Sequence, residues 1–172
     1  MSATSERPRP VTLRVNGETV EIAIHDDETL VETLRERLRL RSVRATCGIG
    51  ICGTCTVQVD GQVASACLLL TRQASHRDIR TSEGLVEEDG GLGRVQQAFV
   101  DRHAYQCAYC IPGMVVTVDA ALQARPDATV EDLRKELAGN LCRCGTYMNV
   151  LEAVAQLVGG DSAAHRRPDE QV

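Results

Sequence analysis

Eight cysteines fall into two groups of four. Cys47, Cys52, Cys55 and Cys67 give the pattern C-x4-C-x2-C-x11-C, and Cys107, Cys110, Cys142 and Cys144 give C-x2-C-x31-C-x-C. The first three cysteines have the plant-type [2Fe–2S] spacing. Such a site needs a loop that curls round two irons. Gly48, Gly50 and Gly53 stand between the ligands, where they permit tight turns and let backbone N–H groups face the cluster sulfurs. Zinc sites more often use paired C-x2-C knuckles, so the first set reads as an iron–sulfur site. In the second set each pair precedes an expected helix. Helix N-termini carry partial positive charge and free N–H groups, which favour thiolate. By spacing alone this set suits either a second iron–sulfur cluster or structural zinc.

The surrounding sequence fits metal-bound thiolates better than disulfides. The first ten residues are polar, with no apolar core of an export signal, and no stretch approaches a membrane span of about 20 apolar residues. A soluble, cytoplasmic chain is expected, and disulfides are rare in such a compartment. The net charge of −5 argues against a nucleic-acid partner. Aromatic residues are limited to Phe99, Tyr105, Tyr109 and Tyr147, so Val, Leu, Ile and Ala must fill the interior. At 172 residues the chain is one domain or two small ones, whose thin cores bound metal would reinforce.

The elements that must carry the cysteines are legible from periodicity. Residues 11–24 alternate apolar and polar about an Asn16-Gly17 turn and predict a hairpin. Asp26 and Asp27 offer caps, and Leu30, Leu34 and Leu38 predict an amphipathic helix over residues 29–39. The cysteine loop of residues 44–55 leads into strands over 56–59 and 62–66 about Asp60-Gly61, with residues 67–71 extended. The result is a β-β-α-β-β order. Gly and acidic residues then mark a linker. Beyond it, helices are expected around Val95 and Phe99, over residues 113–124 after Pro112, from Val130 to a stop at Gly139, and around Val150 to Val158. The expected divisions are a disordered 1–10, a first domain at 11–83, a linker at 84–91, a helical domain at 92–158 and a flexible tail at 159–172.

The stretches CGIGICGTC, QCAYCIPG and GNLCRCGTY, in this order and spacing, resemble the small iron–sulfur subunit of the xanthine oxidase family of molybdenum hydroxylases. That family includes the small subunits of carbon monoxide dehydrogenase and of aldehyde, isoquinoline and nicotinate oxidoreductases. The resemblance runs from about residue 11 to residue 158. It implies an α+β chain: an N-terminal β-grasp, ferredoxin-like [2Fe–2S] domain followed by an all-α, four-helix [2Fe–2S]-binding domain. It implies that Cys47, Cys52, Cys55 and Cys67 hold the outer cluster. Cys107, Cys110, Cys142 and Cys144 would hold the inner one, with Gln106 and Cys144 contacting a molybdopterin cofactor. The implied partners are two further chains, one large and carrying the molybdenum cofactor, one medium and carrying FAD. They would assemble as a dimer of heterotrimers, with a cytochrome as acceptor in some branches. Ala108, Ile111, Ile49 and the order Gly145-Thr146 depart from the commoner family pattern without removing a ligand.

Other chemistry is poorly represented. His25, His76, His103 and His165 are scattered, and both quartets are complete without them. Arg143 lies between two ligands, suited to a partner, a pterin phosphate or local backbone. Arg35, Arg37, Arg39 and Arg41 read as a solvated helix face or, failing that, a docking patch. No Walker loop or Ser/His/Asp set is present. The expected role is electron transfer from molybdenum through two clusters in series, on a chain with no substrate site. The alternatives are a free-standing two-cluster ferredoxin and a structural zinc protein.

Overall fold

A computed structural model describes residues 7–159. Strands β1 (Arg9–Val15) and β2 (Glu18–Ile24) pair antiparallel, with Val11 opposite Ile22 and Leu13 opposite Val20. Asn16 and Gly17 turn the chain at φ of 52° and 84°, as a two-residue hairpin requires. A short helix α1 (Leu30–Glu32) follows, with the Glu32 carboxylate accepting the Thr29 N–H at 2.8 Å. Then come β3 (Thr56–Val59), β4 (Gln62–Ser65) and β5 (Asp78–Arg80). The five strands form one mixed sheet in the order β2-β1-β5-β3-β4, with β5 parallel to β1 and antiparallel to β3. Leu13, Ile24, Leu30, Leu34, Val57 and Ile79 are completely buried between the sheet and the helical turn.

Several details differ from the sequence expectation. The expected disordered N-terminus already contains strand, because Arg9 and Pro10 pair with Ile24 and Ala23. The register of β1 with β5 begins only at Arg14, so Pro10 leaves no N–H missing from that ladder. The helix expected over residues 29–39 is one α-turn that widens into a π-helix at Thr33–Arg37. At its start the buried Thr33 hydroxyl donates to Glu28 at 2.6 Å and lies 2.7 Å from the Thr71 hydroxyl. Residues 67–71 are not a strand. They turn, make a single bridge between Leu70 and Thr29, and enter a 3-10 helix at Thr71–Ala74. Strand β5 has no counterpart in the expected elements. Leu85, inside the expected linker, is buried with the helical core at the end of a 3-10 helix, Ser82–Leu85. Of the expected flexible tail, residues 160–172 lie outside the described residues, as do residues 1–6.

The second half packs α2 (Arg94–Asp101), α3 (Ile111–Ala124), α4 (Val130–Glu136) and α5 (Tyr147–Leu157) about Phe99, Met114, Val116, Leu133 and Val154. Pro112 sits in the first turn of α3, where its missing N–H costs nothing. Thr129 caps α4 by accepting the Asp132 N–H, and a 3-10 turn, Leu137–Gly139, extends that helix. The two halves are joined by polar contacts as well as packing. Gln58 of β3, 1% exposed, donates to the Asp119 carboxylate of α3 at 2.7 Å.

Candidate metal centres

The first cysteine set lies on the loop before β3 and just after β4. Cys55 is buried, while Cys47, Cys52 and Cys67 are half-buried. Gly48, Gly50 and Gly53 all have positive φ, near 70°. This curl turns the N–H groups of Ile49, Cys52 and Ile51 toward the Cys47 sulfur, which, with the Cys52 thiol, lowers its pKa to about 6. Burial has the opposite effect on Cys55, whose thiol is pushed up to about 11. The Cys52 sulfur lies 3.2 Å from the Thr54 hydroxyl, and that hydroxyl donates to the Arg44 carbonyl.

The second set is built by two helix starts. Cys110 caps α3, and Cys142 and Cys144 precede α5. The Cys107 and Cys144 sulfurs are 3.4 Å apart across a sequence separation of 37. Burial pushes the Cys110 thiol up to about 12, with the neighbouring Cys142 adding to it. Burial opposes ionisation of Cys142 as well. There the N–H groups of Thr146, Cys144 and Gly145, with the Cys110 thiol, prevail and lower its pKa. Cys107 is likewise lowered, chiefly by the Tyr109 N–H. Ala108 holds φ of 59°, the left-handed region in which a glycine is unstrained. A cavity of about 370 Å³ is walled by Cys107, Cys110, Cys142 and Tyr109, with Cys52 of the first set on its border.

The two sets meet directly. The Leu141 N–H donates to the Cys52 carbonyl at 2.9 Å. Gly53 is pressed against this junction: a Cβ there would lie 2.3 Å from the Gly139 carbonyl oxygen. None of the eight cysteines is in a disulfide. Among the described residues no three His, Cys, Asp or Glu side chains converge as they would on a single ion.

The comparisons agree with this arrangement. A family model for a 2Fe-2S iron–sulfur cluster binding domain matches residues 13–85, and one for a [2Fe-2S] binding domain matches residues 81–155. Caffeine dehydrogenase subunit gamma of a Pseudomonas species is 41% identical over 84% of this chain and 87% of its own. The nicotinate dehydrogenase small FeS subunit of Eubacterium barkeri is 40% identical over 86% of this chain and 94% of its own. The chain belongs to the small iron–sulfur subunits of the xanthine oxidase family. The small subunit superposes on quinoline 2-oxidoreductase of Pseudomonas putida 86 with a TM-score of 0.83 and 30% identity, over 90% of this chain and 95% of that one. It is therefore an electron-transfer component of a multi-subunit oxidoreductase, with two [2Fe–2S]-binding domains and an α+β fold.

The remaining singled-out residues sort by position. In the small subunit the exposed Gln106 amide donates to the Cys144 carbonyl at 3.0 Å, which brings the two candidate cofactor contacts together. Arg143 lies on the cavity edge. Arg37 forms a two-pronged pair with Glu28, and Arg35 donates to the Val43 carbonyl, so both are used within the first half. His25, His76 and His103 join no metal-ligating group among the described residues, and His165 lies outside them. The sequence reading overlooked Asn140 and the Tyr147 hydroxyl, although both stand in the GNLCRCGTY stretch. No helix among the described residues is long and apolar enough to cross a membrane.

Proposed function

We propose that Cys47, Cys52, Cys55 and Cys67 hold an outer [2Fe–2S] cluster, and that Cys107, Cys110, Cys142 and Cys144 hold an inner one. The inner cluster lies nearer a molybdenum cofactor on a large partner subunit. When bound, the two clusters supply one-electron redox chemistry in series, which lets a two-electron oxidation at molybdenum reach a one-electron or flavin acceptor. This chain's residues hold and tune them. The glycine-loop N–H groups around Cys47 and the helix-start N–H groups around Cys142 stabilise negative charge on sulfur. Buried Cys55 and Cys110 anchor each set to its core.

The domain division follows the same reading: a β-grasp domain to residue 83 whose first strand begins at Arg9, a connection at 84–91 from which Leu85 packs into the helical core, and a four-helix domain at 92–158. Gln106 and Cys144, adjacent at the surface, are the contacts for a pterin edge, since an amide offers both donor and acceptor. The partners are a large molybdenum-cofactor chain and a medium FAD chain, in a dimer of heterotrimers. A cytoplasmic location belongs to the same proposal.

The single observation that carries the reading is the convergence of Cys107 and Cys144 beside a cavity bordered by Cys52. It brings two distant cysteine pairs to one place and sets them next to the first set. Metal analysis of the purified complex tests it. The expected content per copy of this chain is about four irons and four acid-labile sulfides, with two distinct paramagnetic signals on full reduction. A colourless zinc protein, or one signal with half the iron, overturns it. A stable monomer that never copurifies with a molybdenum-containing chain would favour the free-standing carrier instead.

A further inference from the structure

Asn140 lies between the two cysteine sets and is 3% exposed. Its side chain is engaged at both ends. Nδ2 donates to the Gly53 carbonyl at 3.0 Å, in the turn between Cys52 and Cys55. Oδ1 accepts the Thr117 hydroxyl at 3.0 Å, on α3, the helix whose N-cap is Cys110. The Asn140 carbonyl accepts the Tyr147 hydroxyl at 3.3 Å, and Cys142 stands two residues further on. The buried amide thus ties the loop of the first set to α3, while the backbone carbonyl of the same residue ties it to Tyr147 at the start of α5. Asp at this position has no donor for the Gly53 carbonyl, and Gln has a longer stem in a site packed against Gly53 and Gly113.

We propose that Asn140 is a positioning residue for electron exchange: it fixes the separation between the two cluster sites. The proposal rests on the function given above. The event it governs moves one electron from one site to the other. One centre is oxidised and the other reduced, and no bond or proton changes. Both the exchange rate and the magnetic coupling of two reduced centres fall steeply with separation, so both report the spacing.

The test uses the purified complex carrying Asn140→Asp or Thr117→Val, with Thr117→Ser as the conservative rescue. Iron, sulfide and the individual paramagnetic signals show whether both clusters are present. Spin–spin splitting in the fully reduced state, and the inter-cluster rate after rapid photoreduction, report the spacing. In Asn140→Asp both signals remain, the splitting narrows and the rate falls at least about tenfold. Thr117→Val moves both readouts the same way by less, and Thr117→Ser restores them. Unchanged splitting and rate in an Asn140→Asp complex with both clusters overturns the proposal. If Asn140→Asp does not assemble, unchanged values in Thr117→Val overturn it equally. The wild-type complex alone decides the underlying function, because a single signal there refutes that reading before any variant is made.

Discussion

Cys47, Cys52 and Cys55 are carried by one short loop, whereas the Cys107–Cys110 and Cys142–Cys144 pairs come from two helix starts that only the tertiary fold brings together. The loop makes its own donors, because the N–H groups that lower Cys47 come from Ile49, Ile51 and Cys52 between its own cysteines. The second set depends on α2 and α4, which pack against both α3 and α5, and borrows a side-chain hydroxyl, that of Tyr147, to hold the Cys142 backbone. Yet both sets share one gradient. Each has a buried thiol whose ionisation is opposed by burial, Cys55 and Cys110, and a less buried thiol whose pKa is lowered by backbone donors, Cys47 and Cys107. A local loop and a distributed pair of helices can therefore each pair one thiol disfavoured by burial with one favoured by backbone donors. They differ in what else must fold first.

The largest effect that could break this comparison is loss of one centre alone. Cys110→Ser is nearly isosteric at the cap of α3, so the helical core survives. Iron is expected to fall from about four to about two per chain, with turnover abolished and the first set's spectrum intact. Loss of both spectra would mean that the loop is not self-sufficient.

A smaller effect separates the loop's own strain from its junction with the helical half. Gly48 and Gly53 have nearly equal φ, 68° and 67°, so an alanine meets the same left-handed penalty of about 1–2 kcal/mol at either position. A Cβ at Gly48 meets nothing within 4 Å, whereas at Gly53 it meets the Gly139 carbonyl at 2.3 Å and the Asn140 side chain at 2.6 Å. Gly48→Ala should cost about 1 kcal/mol in urea unfolding. Gly53→Ala should cost about 3 kcal/mol or more and broaden the signals of both centres. Equal costs would show that the junction yields without strain.

How much could be read beforehand follows the same division. The first cysteine set and the Asn16-Gly17 and Asp60-Gly61 turns are local, and their geometry is implicit in neighbouring residue types. Strand β5 was hidden because it has three residues and one buried apolar side chain, Ile79; pairing with β1 and β3 makes it a strand. The leucine repeat announces a helix over 29–39, but it does not show the π-helix at Thr33–Arg37 or the contact of Thr33 with Thr71, 38 positions away. The spacing of the second set left zinc open, because nothing local says that Cys107 approaches Cys144. Nothing local singles out Asn140, since its partner Gly53 is 87 positions away.

The smallest effect tests whether the borrowed hydroxyl matters to the second centre alone. Tyr147 Oη accepts the Cys142 N–H at 2.7 Å and donates to the Asn140 carbonyl at 3.3 Å. Tyr147→Phe keeps the ring and removes both bonds, at about 1 kcal/mol of stability. The Cys142 N–H then loses the oxygen that offsets its partial positive charge. Positive potential near a cluster stabilises its reduced, more negative state. A potentiometric titration followed by paramagnetic resonance should therefore show the second centre's reduction potential moving upward while the first stays fixed, because the first draws its donors from its own loop. A matching shift at both centres would mean that the junction through Asn140 carries electrostatic changes across, and the contrast between a self-contained loop and a dependent helix pair would not hold.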